Sequence, residues 1–213
     1  MEKHQKRKFF TALVSLALFA LWTAAIRLFD VQPIGPQDSS VGFAAFNSAF
    51  HHLTGVHMTL YALTDWLGLI PIGFVFGFAS LGLLQWIKRK RLTMVDRSLL
   101  VLGGCYILVM AAYLFFEANV VNYRPVLIEG YLEASYPSST TILVLTVIPT
   151  AAMQLNSRAK KSVCRKSITS AMILFLIFMV VGRTLSGVHW ITDIIGGILL
   201  STGLVMMYDA FAS

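Results

Sequence analysis

The run GRTLSGVHWITD over 182–193 holds the side chains best suited to chemistry: Arg183, His189 and Asp193. They fall at the mouth of an apolar helical segment. An ionisable group at membrane depth costs roughly 2.5–3.5 kcal/mol on insertion scales, so three together argue for a function. His189 and Asp193 are four apart and share one face if the segment is helical. A carboxylate there holds one imidazole nitrogen and leaves the other aimed at a substrate. Arg183 lies six residues earlier, across a Ser186-Gly187 turn, and presents a fork for an anion. The combination suits phosphate. A plainer reading is a snorkelling arginine beside a His-Asp pair that helps helices pack.

Two more segments carry anion-binding groups. In NYRPVLIEGYLE (122–133), Pro125 stiffens the backbone after Arg124 and so presents its guanidinium. In YPSSTT (136–141), Pro137 precedes Ser138, Ser139, Thr140 and Thr141, whose hydroxyls and free N–H groups suit a helix N-terminus or an anion bound there. Each is weak alone, since a Ser/Thr run before a helix is usually only a cap. Together they place two arginines, a hydroxyl-rich helix start and a His-Asp pair on one membrane face.

The elements that position these groups are membrane helices. The chain has 213 residues, 57% hydrophobic and 13% charged, with a mean hydropathy of +0.74. A water-soluble domain of this size does not need so much apolar surface. Apolar segments run over 9–29, 66–87, 98–116, 140–155, 168–182 and 188–208. A span needs about 20 residues, so the fourth and fifth require help from their flanks. The reading is an all-α polytopic membrane protein, a six-transmembrane-helix bundle in a single domain over 1–213. The first segment is too long for a signal h-region and reads as an uncleaved span. Pro71 and Pro149 fall within spans and are expected to kink them.

Of the 17 Lys and Arg residues, 14 lie before span one, between spans two and three, or between spans four and five. The positive-inside rule makes those segments and both termini cytoplasmic, leaving Arg27, Arg124 and Arg183 on the outer side of a plasma membrane. Topogenic loops account for the net charge of +7, so nucleic acid is not implied. Cys105 and Cys164 show neither a pairing nor a zinc spacing. The linker 30–65 suits a helix lying at the interface. Its His51, His52 and His57 lack an obvious carboxylate co-ligand and read as packing groups rather than a metal site.

In order and spacing these motifs resemble the type 2 phosphatidic acid phosphatase superfamily, which also includes vanadium haloperoxidases. That signature is Lys, six residues, Arg-Pro; then Pro-Ser-Gly-His; then Ser-Arg, five residues, His, three residues, Asp. The third part matches from Arg183 through His189 to Asp193, with Gly182 in the serine position. Arg124-Pro125 matches the first part and Pro137-Ser138 the second, with Ser139 in the glycine position. The similarity covers about 98–209 and points to the bacterial membrane lipid phosphatase branch. It implies that His189 attacks phosphorus to form a phosphohistidine, that Asp193 orients it, and that Arg124, Arg183, Ser138 and Ser139 hold the phosphoryl oxygens. No metal or organic cofactor is implied.

Two positions depart from the pattern. Thr140 stands where the general-acid histidine belongs, and a threonine hydroxyl is not acidic enough for that task. Glu117 stands where the first lysine belongs, and a carboxylate there weakens phosphate binding unless protonated or turned away. The expected activity is hydrolysis of a phosphomonoester or diphosphate of a membrane lipid at the outer leaflet. Undecaprenyl diphosphate, phosphatidate and phosphatidylglycerol phosphate are the candidate substrates that the resemblance implies. Two alternatives stay open: a catalytically impaired relative that binds a lipid phosphate without turnover, and a transporter component. No inverted repeat supports the latter.

Overall fold

The computed structural model describes residues 3–158 and 162–212. Lys160 and Lys161 fall outside them, and of Ser162 and Cys164 only the backbone is described. The described helices are α1 (Lys3–Leu28), α2 (Ala44–Thr54), α3 (Met58–Leu67), α4 (Leu69–Arg89), α5 (Arg97–Ala118), α6 (Ser139–Arg158), α7 (Ser162–Leu185) and α8 (Ile191–Ala212). Six spans result: α1, α3 joined to α4, α5, α6, most of α7, and α8. The chain is an all-α polytopic membrane protein. Phe10, Leu21, Phe76, Ile107 and Leu174 are 66–70% exposed on the outside of the bundle. Such a surface is stable only with lipid as its solvent.

The linker expectation needs correction. Segment 30–65 does not hold one interfacial helix. Its middle forms α2, which packs on α8, and its end forms α3, which packs on α7 and runs into α4. Span two therefore begins at Met58 and reaches 32 residues. The break at Gly68 has a local cause: Pro71 has no N–H for the Leu67 carbonyl four residues earlier, and its ring crowds that carbonyl. Gly68 itself stays near helical values (φ −59°, ψ −17°). Pro149 lies inside a continuous α6. The flanks lengthen the two marginal spans, the fourth to 20 residues and the fifth to 21.

Helix α8 is the hub, packed chiefly against α1, α6 and α5. Small residues let it sit there. A Cβ on Gly203 would lie 2.6 Å from Leu16 of α1, and one on Gly196 would lie 2.5 Å from the Tyr136 ring. The small-residue run 196–203 is thus used inside the bundle. The apolar core between α4, α5, α6 and α8 includes Leu102, Val144, Ile148 and Leu204.

Lys8 pairs with Asp209 at 2.9 Å, and Arg158 approaches Asp96 at 3.6 Å. These contacts tie the two termini together at one end of the bundle and the α6 end to the α4–α5 connection. The opposite end collects the connections 29–57, 119–138 and 186–190, and the motif residues lie there.

Candidate active site

The 119–138 connection is built as a hairpin. Glu129 (φ 51°) and Gly130 (φ 84°) form a two-residue turn with both φ angles positive, the kind that matches strand twist. Around it Ile128 and Tyr131 exchange hydrogen bonds of 3.1 and 2.8 Å. Further down, Tyr123 pairs with Ala134, flanked by bonds from Arg124 N–H to the Glu133 carbonyl and from Ser135 N–H to the Asn122 carbonyl. Side chains alternate across such a pair. Asn122, Arg124, Glu133 and Ser135 therefore share one face, and all four serve the site. At the outer edge of the hairpin the Tyr123 carbonyl accepts the Trp190 indole N–H at 2.8 Å.

The second wall is the tight turn between α7 and α8. Gly187 has φ +69°, and a Cβ there would fall 2.0 Å from the Gly55 carbonyl oxygen, so only glycine fits. The His57 N–H binds the Ser186 carbonyl at 2.9 Å, and His51 Nε2 lies 3.1 Å from the Gly187 carbonyl. Asn47 of α2 clasps the start of α8 through Thr192, with contacts of 3.0–3.3 Å. Two of the linker histidines thus pack locally, since His57 Nε2 meets the Thr54 carbonyl at 2.9 Å.

His189 lies in this turn, before α8, rather than on the helix with Asp193. Asp193 is the third residue of α8, and its Oδ2 accepts the Trp190 N–H at 3.0 Å, as in a capping box. The expected direct His-Asp contact is replaced by a relay. His189 Nδ1 is 3.8 Å from Asp193 Oδ2, and Ser135 Oγ stands between, 3.0 Å from Nδ1 and 2.5 Å from the carboxylate. A hydroxyl has one proton to donate, and the carboxylate is the acceptor that takes it. Ser135 then accepts from Nδ1–H, which assigns the imidazole tautomer and leaves the Nε2 lone pair free. Asn122 Nδ2 donates to the other Asp193 oxygen at 3.2 Å.

A cavity of about 230 Å³ opens beside His189. Its polar walls are Arg124, Ser135, Ser139, Glu117 and Glu133, and its apolar walls include Tyr113, Phe116 and Tyr136. Arg183 lies deeper, 1% exposed, with its guanidinium carbon 4.7 Å from the Tyr61 ring centroid. Arg124 approaches the same ring at 5.8 Å. Arg183 also reaches Thr64 at 3.4 Å and Asp65 at 3.6 Å. Arg124 Nε is 3.0 Å from Glu133 Oε2, close enough for an ion pair but not aligned for a hydrogen bond. Among the described residues, buried Arg124 Nε and Nη1, Arg183 Nε and His189 Nε2 have no hydrogen-bond partner. Buried polar atoms normally have partners, so the unpartnered guanidinium nitrogens mark a place for an anion, and the unpartnered Nε2 of His189 is available to a group bound there.

Burial holds the His189 pKa well below its ordinary value of 6.5, and the positive fields of Arg124 and Arg183 push it the same way. The Ser135 contact acts in the opposite direction. The imidazole is therefore neutral near pH 7, as a nucleophile requires.

Ser138 does not join the phosphate-binding set expected of it. It is fully buried, its oxygen caps α6 by accepting the Thr141 N–H and hydroxyl at 3.5 and 2.9 Å, and its N–H binds the Asp193 carbonyl at 3.2 Å. Ser139 lines the cavity; Thr140, half-buried, does not. Sequence reasoning missed Ser135, Asn122, Asn47 and Tyr61. The Glu129-Gly130 pair between β-forming residues was the available sign of the hairpin.

Ser135→Ala is expected to lower kcat by about 10²-fold with KM little changed, because the imidazole loses its anchor but the arginines remain. Ser135→Thr, which keeps the hydroxyl, should restore much of the rate. Equal loss in both variants would show that Ser135 acts by packing.

No family model and no curated protein matches the chain. Its fold is similar to the crystal structure of a transmembrane PAP2 type phosphatidylglycerolphosphate phosphatase from Bacillus subtilis. The TM-score is 0.56 at 19% identity, over 95% of this chain and 96% of that one. At that identity the fold is what the two share, and it extends over nearly the whole of both chains.

Proposed function

We propose that the cavity binds the phosphoryl group of a membrane lipid phosphate and that His189 Nε2 transfers it to water, making the chain a PAP2-type lipid phosphatase. The observation that carries this reading is the unpartnered, buried Nε2 of cavity-lining His189, with its ring held through Ser135 to Asp193 and its neighbourhood made positive by two arginines. Nε2 attacks phosphorus, and the bond from phosphorus to the lipid oxygen breaks. Arg124 and Arg183 offset charge on the phosphoryl oxygens, and Ser139 lies on the same wall. Water then displaces the histidine, releasing inorganic phosphate and the neutral imidazole. The lipid oxygen leaves as an alkoxide that takes its proton from solvent water, because Thr140 cannot supply one, and the attacking water later gives up its own proton to solvent or to the released phosphate.

The test is phosphate release by purified protein from phosphatidate, phosphatidylglycerol phosphate and undecaprenyl diphosphate, followed against pH. With its pKa depressed, His189 stays unprotonated below pH 6.5, so the acid limb of kcat/KM lies under that value. Removing the Arg124 charge with Arg124→Gln should move the limb upward, whereas ionisation of the substrate would leave it in place. The same shift has a stability sign. The unfolded chain takes up a proton near pH 6.5 that the folded chain refuses, so stability falls as pH drops through 6.5. Release from none of the lipids would remove the catalytic reading.

A second reading, a protein that binds lipid phosphate without turnover, is favoured by Thr140 and by the Arg124–Glu133 pair. The charge asymmetry further supports both termini in the cytoplasm and the site at the outer face. A single cysteine at exposed Glu129, in an otherwise cysteine-free protein, should react with an impermeant reagent added to whole cells. Reaction only after lysis would reverse the orientation and the leaflet of the substrate.

A further inference from the structure

We infer that the substrate carries an ammonium group a few bonds from its phosphate. This rests on the lipid-phosphate reading above and narrows it. The cavity has two chemically distinct sides. Arg124, His189 and Ser139 suit a phosphoryl group, whereas Glu117 and Glu133 add two carboxylates to the same small space, beside the rings of Tyr113, Phe116 and Tyr136. The orphaned buried nitrogens of His189 and Arg124 mark the inner wall of the cavity as a ligand site, while Glu117 and Glu133 reach solvent on the same cavity.

Charge exchange favours this ligand. Glu133 is now paired with Arg124. A phosphate dianion that takes Arg124 displaces that carboxylate and leaves it, with Glu117, beside a second anion. Both carboxylates reach solvent, with the Glu133 side chain 40% exposed, so the repulsion is screened in part but still opposes binding. An ammonium on the same ligand restores the balance, since Arg124 exchanges a carboxylate for the phosphate and Glu133 exchanges a guanidinium for the ammonium. Tyrosine and phenylalanine faces attract a cation as well. A diphosphate does the reverse and sets its second phosphate against Glu117. The volume of about 230 Å³ suits a phosphate with a short amino-bearing arm, with the acyl or alkyl chain left to the bilayer.

The experiment compares 2-aminohexadecyl phosphate with its N-acetyl derivative, which has the same phosphate and chain but no ammonium. Affinity is measured by calorimetry on the full chain in phosphatidylcholine nanodiscs, and hydrolysis is measured in parallel. The amine is expected to bind about threefold to tenfold tighter, as two partly screened ion pairs allow. Glu117→Gln and Glu133→Gln should each narrow that preference, and Glu117→Lys should abolish or invert it. Because Glu133 also contacts Arg124, Glu117→Gln is the cleaner variant. Equal affinity for the two compounds, or a preference that survives both glutamine variants, overturns the inference while leaving a lipid phosphatase intact. A preference without hydrolysis supports the inference and removes only the catalytic step. Binding of neither compound overturns both readings.

Discussion

Replacing His189 by Asn is expected to lower kcat for lipid phosphate hydrolysis by at least about 10⁴-fold while leaving affinity for the lipid phosphate close to that of the wild type. Asparagine places an N–H donor near the position of Nδ1, so the Ser135–Asp193 relay keeps a partner. It has nothing where Nε2 stands, so no bond to phosphorus forms. Losing the nucleophile from a unit that acts together removes nearly all of the catalysis, and positioning by the remaining groups leaves a small residue. Binding is expected to survive because the proposed mechanism assigns the phosphoryl oxygens to Arg124 and Arg183, not to the imidazole. Asp193 is a poorer target for this test. Its carboxylate also takes the Trp190 N–H and Asn122, so its replacement disturbs the start of α8 as well. The measurements are initial rates of phosphate release and trapping of a labelled phosphoenzyme, acid-labile and alkali-stable, in wild type alone. A His189→Asn rate within tenfold of the wild type would exclude histidine as the nucleophile.

The fold was legible because bilayer thickness and hydropathy speak through single residues. Six apolar runs are enough to set six spans. The boundaries were less legible. Met58–Asp65 reads as linker because Thr59, Thr64 and Asp65 interrupt its apolar pattern, yet these residues form a helix that faces α7 and meets Arg183. A buried arginine draws polar neighbours, so the missed part of span two is explained by the site itself. The spacing from Arg183 to Asp193 picked out side chains that gather around one cavity but misjudged their geometry. An i,i+4 pair touches directly only when both residues are helical, and His189 precedes the helix. Ser135 fills that gap from 54 residues away along the chain, through a hairpin register that no motif encodes. Ser138 shows the converse. Its place in a motif suggested phosphate binding, whereas the commoner use of a serine before a helix, capping, prevails.

Thr140→His is the variant expected to gain activity. Thr140 is the second residue of α6, beside cavity-lining Ser139, where a longer side chain that carries a proton has a short way to reach. General acid catalysis contributes about 10²–10⁴-fold, so the gain on a simple alkyl phosphate should approach that range if proton donation is the only defect. A leaving group that departs as a stable anion needs no proton, so an aryl phosphate with an acidic phenol, or a diphosphate, should gain far less. The slope of log kcat against leaving-group pKa therefore separates this mechanism from improved binding. It should be steep in the wild type and shallow in Thr140→His. Glu117 opposes the phosphate whichever residue holds position 140, so Glu117→Lys is to be made alone and in combination; alone it should lower KM for a diphosphate more than it raises kcat. Substantial wild-type activity that Thr140→His leaves unchanged would show that another group protonates the leaving oxygen, with cavity-lining Glu133 the first to replace by Gln. If all three variants bind lipid phosphate but release none, the site is a recognition site in a phosphatase fold.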